Sequence, residues 1–257
     1  MSNNLEDTLL ILDWGIGGIG AFIEVRKRDP NLNILYWSDS GVIPYGKMNQ
    51  TILSARILEV LNTAKVLGAT HALIACNAAS TVLPLIDTPI PTIGVIEKGV
   101  EKLILDKLSG KVGEHLGIIG GKRTIDSGAW SQPLIEEGFQ VNANITQPLS
   151  ALIESGKHLD LDSRPIFESV LAGLEEVTDL VLACTHYVAA RSVISSILPK
   201  ATLFDPVGES VKFMLENWTI SGTAKTRFLT TGDIHEMEKS AKLAYGFDLT
   251  GDVRPAF

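Results

Sequence analysis

The chain carries two cysteines, Cys76 and Cys184, and both stand in the same local setting. HALIACNAAS (71–80) and DLVLACTHYV (179–188) each run from an apolar stretch into Ala-Cys and then into polar residues that open a helix. A free cysteine is most often a small buried hydrophobe, so two inert thiols in similar strands is the plain alternative. The matched positions point instead to a repeat. Ligands of open α/β sheets bind beyond the carboxyl ends of the strands, and two lobes packed with those ends together put one thiol on each side of a shared cleft. A second pattern competes with this one. DWGIGGIG places Gly15, Gly17 and Gly20 in G-x-G-x-x-G spacing after a strand, with Asp39 closing the next strand, which is the arrangement of a dinucleotide site. Against it, Asp13 precedes the first glycine, where a carboxylate repels a pyrophosphate. A tight glycine turn packing helix on strand is the preferred reading.

The elements that position these residues alternate short β-rich runs with longer segments of helical period. Strands are expected at 9–13, 33–39, 71–76, 91–95, 115–120, 140–145, 180–184 and 202–206. Helices are expected near 18–28, 49–67, 96–107, 125–137, 163–176 and 188–198. This is βαβ patterning, hence parallel sheet. The fold class is α/β, with two pseudo-symmetric α/β lobes of mostly parallel sheet and an active site in the cleft between them. Residues 1–97 with 210–257 are assigned to the first lobe and 98–209 to the second.

Composition bounds the partners. With 257 residues, 45% of them hydrophobic, the chain holds one large core or two smaller ones. A net charge of −8 and a pI near 5.2 argue against nucleic acid, which requires clustered Lys and Arg. The opening MSNNLEDTLLIL lacks a basic leader segment, and no apolar run reaches membrane length. A soluble cytoplasmic protein with a small-molecule partner is expected, with free thiols, no metal and no cofactor. A homodimer is left open.

The motifs DWGIGG, SDSGVIPYG, ACNAAS, GVIEKG, GKRTIDSGAW, ACTHY, GESV and TRFLTTGD occur in the order seen in the glutamate racemases, a family of the aspartate/glutamate racemase superfamily that the chain resembles over roughly residues 8–250. The resemblance implies two α/β lobes, cofactor-independent interconversion of L- and D-glutamate, and supply of D-glutamate to peptidoglycan.

It also implies the chemistry of the thiols. Inverting an α-carbon takes a proton from one face and returns one to the other, so two opposed acid/base groups are required. A thiol with an ordinary pKa of ~8.5 can act as either, if its neighbours favour thiolate on one side and thiol on the other. By resemblance these groups are Cys76 and Cys184, with Asp13 managing the proton on Cys76 and His186 and Glu154 that on Cys184. Milder readings stand beside these: Asp13 as a helix cap, His186 as a satisfied surface histidine, Glu154 in a weaker match. Substrate contacts carried over by position are Asn77, Thr124 and Thr185, and the turn Pro44-Tyr45-Gly46, whose backbone N–H groups suit a side-chain carboxylate. Asp39 orders its loop.

The chain departs from the family at two contact positions, Trp14 for a serine and Ala78 for a threonine. A hydrogen bond to a charged group contributes about 1.5–3 kcal/mol, so losing two weakens recognition about 10²- to 10⁴-fold unless something replaces them. Trp14 either points into a lobe core or narrows the pocket and offers its indole N–H to a different ligand. A racemase or epimerase acting on another acid, and a non-catalytic binding protein, are the alternatives.

Overall fold

The computed structural model describes residues 6–256. Along the first half, β1 (Thr8–Asp13), α1 (Ile19–Arg28), β2 (Asn33–Ser38), α2 (Gln50–Val66), β3 (His71–Ile74), α3 (Asn77–Ser80) and β4 (Thr92–Gly94) lead into α4 (Val95–Leu108). The second half runs β5 (His115–Gly120), α5 (Lys122–Asp126), α6 (Ser131–Glu136), β6 (Gln140–Ile145), α7 (Pro148–Glu154), α8 (Arg164–Leu171), β7 (Asp179–Ala183), α9 (Arg191–Ile197) and β8 (Thr202–Phe204). The chain then returns through α10 (Pro206–Asn217), β9 (Thr226–Thr230), α11 (Ile234–Tyr245) and β10 (Val253–Pro255).

Among the described residues these strands form a six-stranded sheet, β10-β9-β2-β1-β3-β4, and a four-stranded sheet, β6-β5-β7-β8. Every pairing is parallel. The order β2-β1-β3-β4 recurs as β6-β5-β7-β8, so each half places a reversal of strand order beside its first strand, between β1 and β3 and between β5 and β7. Those reversals open crevices at the carboxyl ends, and Asp13 with Cys76 lies at one while Cys184 lies at the other.

Both sheets are covered on two faces, which is why their central strands read as continuous apolar runs. Leu9 and Ile11 of β1 pack into one cluster while Leu10 and Leu12 pack into the opposite one. In the second sheet, Leu180 and Leu182 of β7 face one cluster and Val181 and Ala183 the other. The strand alternation assigns these faces. Helix α4 carries Val95 into the first sheet's core and Ile96, Val100 and Leu103 into the second's. It packs against α10, whose Val207, Val211 and Met214 join the first sheet's core. The expected lobe boundaries at 97/98 and 209/210 therefore fall inside this helix pair.

Several helical expectations are corrected. The helix expected near 125–137 is two, α5 and α6, separated at Gly128, whose φ of +69° suits glycine and interrupts helix. The helix expected over 163–176 ends at Leu171, ahead of Gly173 at φ +84°. The strand expected to reach 206 stops at Phe204, because Asp205 accepts from the Val207 N–H as a cap and Pro206 opens α10. Helices α7, α10 and α11 and strands β9 and β10 were not among the expected elements, although TRFLTTGD spans β9.

Candidate active site

The sequences after β3 and β7 turn immediately into helical structure, which brings Cys76 and Cys184 to the edge of their sheets. Both are free thiols, Cys76 buried and Cys184 partly exposed, and both line one cavity of about 860 Å³ between the sheets. Every residue singled out from the sequence as catalytic or substrate-binding lines this cavity. From the first half come Asp13, Trp14, Pro44, Tyr45, Gly46, Cys76, Asn77 and Ala78; from the second come Thr124, Glu154, Cys184, Thr185 and His186.

On the first side, Asp13 ends β1 and is buried. Its Oδ1 accepts from the Trp14 N–H at 2.6 Å and its Oδ2 from the Thr185 hydroxyl at 2.8 Å, so it does not cap α1. Burial pushes its carboxyl up, against the opposing pull of His186, Thr185 and the Trp14 N–H. Burial and then the Asp13 charge push the Cys76 thiol well above its ordinary range, more strongly than the nearby Ala79 and Ala78 N–H groups draw it down. The Thr185 hydroxyl is thus engaged by Asp13 and not directed freely into the cavity.

On the second side, Cys184 Sγ lies 3.6 Å from Ser150 Oγ and 3.8 Å from His186 Nδ1. His186 is buried, not a surface residue, and its Nε2 meets Glu154 Oε1 at 2.6 Å. Burial opposes a charge on His186, but its contacts with Cys184 and Glu154 outweigh that and hold the imidazole well above its ordinary value. Burial likewise works against the Glu154 carboxylate, while the hydrogen bond and charge of His186 and the Ile16 N–H keep it below the usual range.

The two sides are stitched across the cleft. Glu154 Oε1 accepts from the Ile16 N–H at 3.4 Å, and the Tyr245 hydroxyl lies 3.2 Å from the carbonyl oxygens of both Gly17 and Thr185. A Cβ on Gly17 would sit 2.3 Å from Thr185 Oγ1 and 2.7 Å from His186 Nδ1, and one on Gly15 would sit 2.5 Å from Glu154 Oε1. Gly15 and Gly17 are therefore explained by the close approach of the second half. Among the described residues no group of three or more His, Cys, Asp or Glu is arranged to hold a metal ion, and no helix is long and apolar enough to cross a membrane.

The remaining contacts refine the sequence reading. Asn77 Oδ1 accepts from Trp130 Nε1 at 3.0 Å, and Asn77 Nδ2, fully buried, has no acceptor among the described residues. Trp130 reaches Asn77 past Gly99, where a Cβ would collide with its ring at 2.3 Å. Tyr45 is held by its hydroxyl donating to Asp39 Oδ2 at 2.7 Å, and Asp39 is itself clamped by Arg56 and Thr231, so it orders the Pro44-Tyr45-Gly46 turn. Trp14 packs against the first sheet's core and donates its indole N–H to the Val42 carbonyl at 3.0 Å. That N–H is spent within the protein, so Trp14 supplies no new donor to a ligand. Sequence reasoning missed Ser150, Tyr245, Trp130 as a partner of Asn77, and Arg123; GKRTIDSGAW contains Arg123 and Trp130, but the roles of all four rest on contacts distant in the chain.

This architecture is shared with solved racemases. The glutamate racemase of Aquifex pyrophilus superimposes with a TM-score of 0.80 at 26% identity, over 97% of this chain and 98% of that one. The glutamate racemase of Francisella tularensis, solved with D-glutamate, does so at 0.85 and 21% identity, over 98% and 97%. In sequence, the glutamate racemase of Persephonella marina is 28% identical over 248 residues, 93% of each chain. With the model of that family matching residues 23–214, the chain belongs to the Asp/Glu/hydantoin racemase family of isomerases.

Proposed function

We propose that the chain interconverts L- and D-glutamate by a two-base proton transfer between Cys76 and Cys184, and so supplies D-glutamate for peptidoglycan. The observation that carries this reading is that two thiols from equivalent places in the two halves line one cavity yet have different partners. In the forward step a thiolate removes the α-proton from one face, leaving the electron pair on the α-carbon and its carboxylate. The opposite thiol then delivers its proton to the other face. The first sulfur ends protonated and the second deprotonated, and proton exchange resets the pair. Asp13 serves the Cys76 side, and His186, its hold on a proton strengthened by Cys184 and Glu154, serves the Cys184 side. The unpartnered Asn77 Nδ2 is suited to the α-carboxylate, as an unmade hydrogen bond at a buried donor is costly until something fills it. The lobes divide at the α4–α10 pair, and Thr124 and the Pro44-Tyr45-Gly46 turn complete the substrate wall.

A second reading, the same chemistry on another acid, is favoured by Trp14 and Ala78, which line the cavity without the hydroxyls that the family motif has there. Incubation with L- and D-amino acids in D₂O, followed by the loss of the α-proton signal, decides between them. Exchange confined to glutamate is expected. Exchange with another acid alone supports the second reading, and silence across the panel by folded protein removes both.

A further inference from the structure

Arg123 reaches from α5 to the first half of the chain, where Nη1 donates to the Met48 carbonyl at 2.8 Å and Nε to Thr81 Oγ1 at 3.2 Å. Neither acceptor carries charge. No carboxylate pairs with Arg123 among the described residues, and burial alone draws its pKa down. Yet Arg123 is among the residues that line the cavity. Arg56, behind the same turn, makes an instructive contrast: it is neutralised by Asp39 at 2.5 Å. A half-buried guanidinium with uncharged partners on one edge is an incomplete anion site, since desolvated cations ordinarily find a counter-charge.

Its two anchors say which part of a ligand it faces. Met48 closes the 3-10 turn Tyr45–Lys47, its N–H bonded to the Tyr45 carbonyl, so the guanidinium is fixed against the wall formed by that turn. Thr81 closes α3, which Cys76 opens. Thr81 therefore ties the guanidinium to the far end of the short helix that begins at Cys76.

We infer that Arg123 is a specificity-determining residue whose guanidinium receives the distal carboxylate of a dicarboxylic substrate. This rests on the cavity being an amino-acid site. The fork of donors that Arg presents suits a carboxylate and not an amide.

The test compares glutarate with its monoamide, glutaramate, as ligands of the native protein and of Arg123→Gln, Arg123→Lys and Thr81→Val, by calorimetry, with thermal melting as a check on folding. Arg123→Gln is expected to weaken glutarate about 10- to 100-fold while changing glutaramate little, as for a lost charged hydrogen bond. Arg123→Lys recovers part of the preference, and Thr81→Val, which keeps the charge, retains it. With glutamate, Arg123→Gln raises KM more than it lowers kcat. Equal loss of both ligands, a fall in kcat at constant KM, or no glutarate binding by the native protein overturns the inference. Arg123-dependent glutarate binding without α-proton exchange on any amino acid keeps it and removes racemisation; exchange on glutamate unaffected by Arg123→Gln does the reverse.

Discussion

The two cysteine sites share a scaffold and differ in charge. Cys76 follows β3 and Cys184 follows β7, each beside the strand-order reversal of its sheet. Around Cys76 the partner is a buried carboxylate, Asp13, and the thiol is pushed toward its neutral form. Around Cys184 the partner is an imidazole whose hold on a proton is strengthened by its contacts with Cys184 and Glu154. The difference arises because the repeat covers only the strands and their exits. The strand equivalent to β1 is β5, which ends in Gly120 where β1 ends in Asp13. Glu154 comes from α7 and crosses to the Ile16 N–H, while Thr185 crosses to Asp13. A duplicated backbone thus carries two electrostatic environments, each completed from the other half. That asymmetry suits the proposed two-base transfer, in which the pair would begin in opposite protonation states.

The largest effect is expected from removing each thiol. Cys76→Ser and Cys184→Ser are each expected to lower racemisation about 10³-fold or more, at the scale of a lost acid/base group. Each variant should still exchange the α-proton of one enantiomer, and the preferred enantiomer should be opposite in the two. If both singles racemise well, the paired roles are wrong.

Next in size is the approach of the halves. In Gly17→Ala the new Cβ must displace Thr185 and His186, and misplacing a catalytic group by about 1 Å costs on the order of 10²-fold. Steady-state kinetics should show kcat falling while circular dichroism is unchanged. Native-like turnover would mean that the stitching across the glycine turn is dispensable.

Alkylation reads the thiols directly. Iodoacetamide followed by peptide mass spectrometry should find Cys184 modified well before Cys76 at neutral pH, since the thiolate is the nucleophile and Cys76 is both buried and pushed upward. Raising the pH should narrow the gap. Faster modification of Cys76 at neutral pH would invert the assigned asymmetry.

The smallest effect is on stability. Glu154 is held below its ordinary pKa, so its contribution is complete above the unfolded value and fades as pH falls. His186 is held above its own, so its contribution is complete below the unfolded value and fades as pH rises through the folded one. Urea denaturation should therefore show Glu154→Gln destabilised by about 1 kcal/mol, most clearly between roughly pH 4.3 and pH 6.5, with the gap closing on either side. A gap independent of pH would show that Glu154 acts by packing and not by charge.

The features legible in the chain alone are local and periodic. The β-rich runs ending at Asp13, Ile74, Gly120 and Ala183 specify strands buried on both faces, and the repeated Ala-Cys exits mark the two thiols, because strand alternation and helix entry depend on neighbours in the chain. The same locality explains the misses. Gly128 divides a helix only by adopting positive φ, and α7, at seven residues, is too short to show a period, whereas α10 and α11 are amphipathic and were open to reading; α7 supplies Glu154 and α11 supplies Tyr245. Tertiary structure alone decided that Trp14 spends its indole N–H on Val42, that Trp130 orients Asn77, and that Thr185 and Glu154 cross to partners in the other half. Such pairings depend on how two sheets dock. Burial of their apolar faces drives that docking without direction, so the polar contacts it brings together are written in no single stretch of sequence.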